Sequence, residues 1–293
     1  MRITNQMLGQ NLIMGLTNVQ DLLNSDQNKL SSGKRLSVPS DDPVGVESAL
    51  RIDSTLSAVT SWKANAEQGL SFLQTTDSSL NNVMTMLQRT RELAVQAASD
   101  TYGADGRTNI AKEAQQILEQ VGVVANTKYG SKYLFGGTNT NQPWDASTST
   151  WNGNTSAIKY EIGSQSYVQI NTNGQQLFQP TSGQGIFQTL SAFVSHLNNN
   201  QQTLINQDIS ALDTQLQNVI AVRADVGARS NRMETIQTQL DATNTQLTSN
   251  LSAIQDTDVS KVVIDLNNQE NVYRAALSVG ARIIQPSLID FMR

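Results

Sequence analysis

Apolar residues recur at helical spacing from the start of the chain. Leu8, Leu12, Leu16, Val19, Leu23 and Leu30 fall on one face of a helix. Gly33 interrupts this pattern, and Leu36 to Asp42 reads as a turn. Asp42 before Pro43 is a helix-start signal, because an Asp side chain caps free N–H groups and Pro fits the first helical position. A heptad seam then runs through Ala49, Ile52, Leu56, Val59, Lys63, Ala66, Leu70, Leu73, Asp77, Leu80, Met84, Leu87, Arg91 and Ala94. Eleven of these fourteen positions are apolar. With no proline between 44 and 100, the seam predicts a helix from 43 to about 99, roughly 85 Å long. Tyr102–Gly106 reads as a loop. A shorter helix bearing Ile110, Ala114, Ile117, Leu118, Val121, Val124 and Ala125 follows and ends near Gly130. The short loop predicts that it returns antiparallel to the long helix.

From Gly136 to about Gly185 the period changes to strand-like alternation. Ile158, Tyr160 and Ile162 alternate with polar neighbours, as do Val168 and Ile170. Asn152-Gly153 and Asn173-Gly174 read as turns. Helical spacing resumes at Leu190, Phe193, Val194 and Leu197. A second seam follows through Ile209, Leu212, Leu216, Val219, Arg223, Val226, Ser230, Met233, Gln237, Leu240, Asn244, Leu247, Leu251 and Ile254, ten of the fourteen being apolar. Asp256-Thr257-Asp258 predicts a break and a new cap. The last segment carries Val259, Val262, Val263, Leu266, Tyr273, Ala276, Leu277, Ile283, Ile284, Leu288 and Phe291, and Pro286 should end or kink it near Gln285. The order is nearly palindromic. It predicts a mainly α fold, a long antiparallel coiled-coil-like bundle made by the N- and C-terminal regions, with a small β-rich insertion. The expected domains are terminal helices at 1–42 and 258–293, the bundle at 43–136 and 187–257, and the insertion at 137–186.

Composition narrows the function. Of 293 residues, 38% are hydrophobic and only 15% charged, so much of the polarity comes from Asn, Gln, Ser and Thr. That suits long helices whose polar faces meet other chains better than one thick core. A net charge of −5 without a basic run excludes nucleic acid as a partner. Apolar runs of only a few residues argue against membrane insertion. The opening residues lack the basic head and continuous apolar run of a cleaved signal peptide. There is no cysteine, hence no disulfide, cysteine zinc site or thiol catalysis. His196 is the only histidine, so no two-His metal site exists. Asp41-Asp42 and the Asp256/Asp258 pair are read as helix caps in preference to metal ligands. The glycines at 136, 137, 183 and 185 match no phosphate-binding spacing, and the serines lack His and acid partners. The reading is of a non-enzyme without cofactor or metal. Lys63, Asp77 and Arg91 interrupt the first seam at fourteen-residue intervals. They either set register or pair with another chain, or lie at the edge of a seam shared with the short helix, the reading preferred here. Trp144, Trp151, Tyr160 and Tyr167 are expected to form the core of a small sheet in preference to a sugar- or host-binding face.

Several strings carry a family resemblance. Leu30-Ser31-Ser32-Gly33-Lys34-Arg35-Leu36, followed by Pro39-Ser40-Asp41-Asp42-Pro43-Val44-Gly45, resembles the N-terminal signature of the flagellin superfamily, as does the opening Met1-Arg2-Ile3-Thr4. Tyr133-Leu134-Phe135-Gly136-Gly137-Thr138 with Pro143-Trp144 is similar to the hook–filament junction branch, the hook-associated protein 3 group. So is the ending Tyr273-Arg274-Ala275-Ala276-Leu277 to Pro286-Ser287-Leu288-Ile289-Asp290-Phe291-Met292-Arg293. The resemblance covers about residues 1–140 and 205–293, and covers the insertion poorly. It implies a structural, extracellular component of the bacterial flagellum that leaves the cell through the type III flagellar export apparatus, with a chaperone guarding its C-terminal segment. It further implies an adaptor role, with another hook-associated junction protein, flagellin and further copies of itself as partners. Flagellin itself is the alternative, and a carbohydrate- or host-binding module in the insertion a third. The terminal stripes have almost no partner surface of their own. They are expected to order on assembly, through Leu8, Leu12, Leu16, Val19, Leu23, Leu30, Val262, Leu266, Tyr273, Leu277, Ile283, Ile284, Leu288 and Phe291.

Overall fold

The structure, a computed structural model, describes residues 5–99 and 103–284. It divides into two compact units, one of residues 59–243 and one of residues 1–58 with 244–293. Among the described residues seven helices follow the chain: α1 (Asn5–Ser32), α2 (Pro43–Ala98), α3 (Ala104–Ala125), α4 (Gly174–Phe178), α5 (Ile186–Asn198), α6 (Gln202–Gln255) and α7 (Val259–Ile284). Between α3 and α4 lie three antiparallel two-stranded ladders. These are β1 (Lys128–Tyr129) with β2 (Lys132–Tyr133), β3 (Trp144–Asp145) with β4 (Thr150–Trp151), and β5 (Lys159–Gly163) with β6 (Ser166–Gln169). The expected fold class, a long antiparallel helical bundle with a small β insertion, is what the chain adopts.

In the 59–243 unit the two seams face one another. Leu73, Leu80, Leu87 and Ala94 of α2, and Leu212, Val219, Val226 and Met233 of α6, are fully buried. The charged interruptions of the first seam stand at its edge, in line with the preferred reading, and each also pairs across to α6. Lys63 pairs with Asp241 at 2.6 Å, Asp77 with Arg223 at 2.9 Å and Arg91 with Asp213 at 2.5 Å, an antiparallel ladder between α2 and α6 of one chain. Their side chains are 36–44% exposed, so they do lie at an edge. That edge has a partner because the flanks of α6 carry the opposite charges. The signs alternate along α2 as plus, minus, plus. A slip of two heptads would therefore bring like charges together, which specifies register. Short α3 packs on α5, its Ile110, Ala114 and Val121 are buried, and Arg89 of α2 donates to its Glu113 at 2.8 Å.

The insertion is anchored by aromatic packing. Phe178 meets Phe135 edge-on at 5.2 Å and stacks on Trp151 at 5.4 Å, and Trp144 stacks on Phe187 at 3.6 Å. Trp144 is buried and Trp151 half-buried, whereas Tyr167 is exposed and belongs to no core. Both Asn-Gly dipeptides depart from the expected turns. The β3–β4 turn is made upstream of Asn152, by Asp145 accepting from Ser147 N at 2.9 Å and by Ser149 at φ 51°. Asn173 instead caps α4, its Oδ1 accepting from Gln176 N at 3.3 Å. The irregular structure also begins earlier than residue 137, since α3 ends at Ala125 and β1 starts at Lys128.

Candidate assembly interface

The terminal unit brings most of the singled-out residues together. Helices α1 and α7 pack antiparallel. Leu12, Leu16, Val19, Leu23 and Leu30 of α1, with Leu266 and Tyr273 of α7, are half-buried along the seam, and Val262 is buried. A Cβ on Gly280 would stand 2.6 Å from Leu12 Cδ2, so the absence of a side chain there lets the helices close. Leu8 and Leu277 remain exposed at 41% and 47%. Ile283 and Ile284 lie in α7, with side chains outside the described residues. Leu288, Phe291 and the expected stop at Pro286 also lie outside them.

Each terminal helix carries a second apolar stripe that the sequence reading missed. Met7, Met14 and Leu22, on one face of α1, are 52–57% exposed. Ile264, Val272 and Val279, on one face of α7, are 50–60% exposed. The signal was legible in Val262-Val263-Ile264, because three successive apolar residues cannot share one helix face. The residues expected at the assembly interface thus mostly line the α1–α7 seam, and this second stripe stays open to water. Patches of this kind on a protein surface mark interaction sites.

The N-terminal signature forms a clasp between the α1–α2 and α6–α7 connections. Gly33 takes the left-handed conformation at φ 68°, open to glycine at no steric cost, and turns the chain out of α1. Arg35 N then donates to Gln255 O at 2.7 Å, Thr257 N to Gly33 O at 3.0 Å, and the Arg35 guanidinium to Ile254 O at 2.9 Å. Ser32 Oγ accepts from Lys34 N at 3.2 Å, and Ser252 donates to Asp256 beside the clasp. Both acidic motifs act within the backbone. Asp41 accepts from Ser37 N and Val38 N at 3.0 and 3.1 Å, bonds that hold its carboxyl below the usual carboxylate range. Asp42 caps α2 ahead of Pro43 by accepting from Gly45 N at 3.0 Å, and Asp258 caps α7 by accepting from Lys261 N at 3.1 Å. Leu36, 4% exposed, seats the turn.

The second signature works inside the other unit. Leu134 and Phe135 are fully buried. Gly137, at φ 69°, approaches Asn154 so closely that any Cβ would overlap it. Asn154 ties the turn by accepting from Thr138 N at 3.0 Å and donating from its own N–H to Gly136 O at 3.1 Å. These residues hold the insertion on the bundle and do not line the open stripe. Among the described residues no three His, Asp or Glu side chains gather into a metal site, and no helix is long and apolar enough to cross a membrane.

Comparison with known proteins agrees with this geometry. Residues 3–140 match the model of the bacterial flagellin N-terminal helical region, and residues 209–292 that of the C-terminal helical region. Flagellin FlaB1 of Treponema pallidum (strain Nichols) is 27% identical, over 96% of this chain and 95% of that protein. Flagellar hook-associated protein 3 of Salmonella typhimurium (strain LT2) is 25% identical, over 80% of this chain and 82% of that protein. The crystal structure of Bacillus cereus FlgL superposes with a TM-score of 0.61 at 25% identity, covering 69% of this chain and all but 1% of the other. With a heptad-seamed bundle and both terminal helical regions, the chain belongs to the flagellin family and is a structural protein of the bacterial flagellum.

Proposed function

We propose that this protein is the adaptor that joins the hook to the flagellin filament, meeting another hook-associated junction protein on one side and flagellin on the other. The observation that carries the reading is the likeness to FlgL, which spans nearly all of that chain at 25% identity. In this reading copies stand side by side in a ring. Residues 1–42 and 258–293 form the inner tube, the bundle of 43–136 and 187–257 surrounds it, and the 137–186 insertion faces outward. The open apolar stripe supports it, because neighbouring copies would bury what the isolated chain leaves in water. The subunit leaves the cell through the flagellar export apparatus with a chaperone on its C-terminal segment. Trypsin should remove the terminal segments of the free subunit, spare residues 59–243, and spare the terminal segments once subunits are incorporated.

Deleting the gene tests the adaptor role. Bare hooks, with unpolymerised flagellin released into the medium, are the expected outcome. The second reading, a filament flagellin, is favoured by the near full-length match to FlaB1. It predicts loss of the filament with no other flagellin outside, and long filaments grown from the purified chain alone. Normal filaments and motility in the deletion strain would overturn both.

A further inference from the structure

We propose that a groove on the 59–243 unit receives the exposed Leu50 of a second copy of this chain, with Arg232 taking a carboxylate that flanks it. The groove has a volume of about 540 Å³ and runs between Trp62 of α2, Ile162 of β5 and the Ile236–Leu240 turn of α6. Its floor is apolar, with Val59, Ile162 and Leu240 only 2–8% exposed. Arg232 is the one formally charged residue on its lining. Among the described residues Arg232 has no ion pair or hydrogen bond, whereas Arg229, one turn earlier, is held by Asp225 and by the carbonyls of Gln169 and Asn171. An apolar slot beside one uncommitted guanidinium fits a bulky aliphatic side chain next to a carboxylate.

The chain itself offers that combination. Leu50 is 65% exposed on α2. Glu47 and Asp53 stand three residues to either side, on the same helix face, both exposed and without an ion pair or hydrogen bond among the described residues. With acids on both sides, a docked Leu50 presents a carboxylate to Arg232 whichever way its helix runs across the groove. Knob and groove are different patches, and a copy that gives its knob to one neighbour and its groove to another makes a head-to-tail contact. Such a contact propagates into a ring or a helical array, where a self-matching patch would stop at a dimer. The inference rests on the reading that copies of the chain stand side by side.

Absence of cysteine makes the test clean, since no native thiol competes. Full-length Leu50→Cys and Ile236→Cys chains are purified, mixed, concentrated and treated with a short bismaleimide, with sedimentation followed in parallel. The expected result is a covalent dimer from the mixture. Neither variant alone, nor Ile236→Cys mixed with a Val123→Cys control, should give it. Arg232→Glu should cut the yield at least tenfold, and Glu47→Arg with Asp53→Arg in the partner should restore it. Self-association without this cross-link would overturn the groove and leave the ring reading standing. No association of the chain with itself at any concentration would overturn both. Co-sedimentation of added flagellin with the parent chain, lost in Arg232→Glu and without the cross-link between copies, would assign the groove to the filament and sink the self-docking proposal.

Discussion

The two units of this chain spend similar helices in opposite ways. Within residues 59–243 the large apolar side chains go inward, and Phe72, Phe135, Phe178 and Phe193 are each 2% exposed or less. In the terminal unit the buried apolar residues among those described are Leu36, Ala49 and Val262, while Met7, Ile13, Met14, Leu22, Ile264 and Val272 are each more than half exposed. Apolar content does not separate the two, since both carry stripes of Leu, Ile and Val. What separates them is how many faces are covered. The bundle covers its seams with a second long helix, with α3 and α5, and with an aromatic insertion. The α1–α7 pair covers one stripe on each helix and leaves the other in water. A lone pair of helices gains little beyond the entropy it gives up. The bundle therefore has the means to hold itself, and the terminal pair is the part that gains most from a neighbour.

The contrast breaks most severely at the aromatic cluster. Phe178 is fully buried against Phe135, Trp151 and Phe187. Phe178→Ala should destabilise the 59–243 unit by about 3–5 kcal/mol, read as a fall in the urea midpoint of the full chain. In the terminal unit the two stripes should respond in opposite senses. Val262→Asp puts an unpaired charge in the α1–α7 seam and should cost about 2–3 kcal/mol there, seen as faster trypsin cleavage of the terminal segments with the main melting transition unmoved. Met14→Ser, on the open stripe, should change chain stability by less than about 0.5 kcal/mol and still abolish incorporation into flagella. If Met14→Ser incorporates normally, the open stripe is not an assembly surface.

The ion-pair ladder sharpens the comparison more gently. Arg223 donates to both oxygens of Asp77 at 2.9 and 3.1 Å and to Asn81 at 3.0 Å, so this pair is the best constrained of the three. Asp77→Arg should set two guanidiniums against each other, and adding Arg223→Asp should restore the pair with its sign reversed. A double-mutant cycle should give a coupling of about 0.5–1 kcal/mol, modest because both groups keep some solvent. Zero coupling would mean that the apolar seam alone fixes the register of α2 on α6.

The helical frame was legible because long seams repeat the same instruction many times. Eleven apolar positions in fourteen predict α2, and Asp42-Pro43 and Asp258 mark helix starts that the cap hydrogen bonds bear out. What escaped depended on partners distant in sequence. Asp213 and Asp241 sit beside the α6 seam and not in it, so nothing local pointed to their pairing with Arg91 and Lys63. The two Asn-Gly dipeptides carried a correct local bias toward irregular backbone, but tertiary packing put them to other uses. Gly174 starts a helix against Phe135, and Gly153 lies against Trp151 and Gly136. The open stripe was missed because selecting residues at i and i+4 returns one face, and α1 and α7 each have two.

The smallest expected effect concerns Asp208, one of the few buried acids. It accepts a hydrogen bond from His196 Nδ1 at 2.8 Å, where the end of α5 meets the start of α6. Burial pushes its carboxyl above the usual range, and the His196 bond pulls back against that without reversing it. A folded-state pKa above the unfolded value means that the protonated form is the one folding favours. The stabilising contribution is full below the unfolded pKa and is lost as pH rises through the folded one. At neutral pH the ionised Asp208 therefore weighs slightly against the fold. Asp208→Asn keeps an acceptor for the His196 N–H while removing the buried charge, so it should melt slightly higher than the parent chain at pH 7. The advantage should shrink as the pH falls and vanish once the parent carboxyl is protonated. Melting curves taken from pH 7 down to about pH 3 would show the convergence. A variant that melts lower than the parent at pH 7 would mean that the charge-assisted bond to His196 outweighs the burial of the carboxylate.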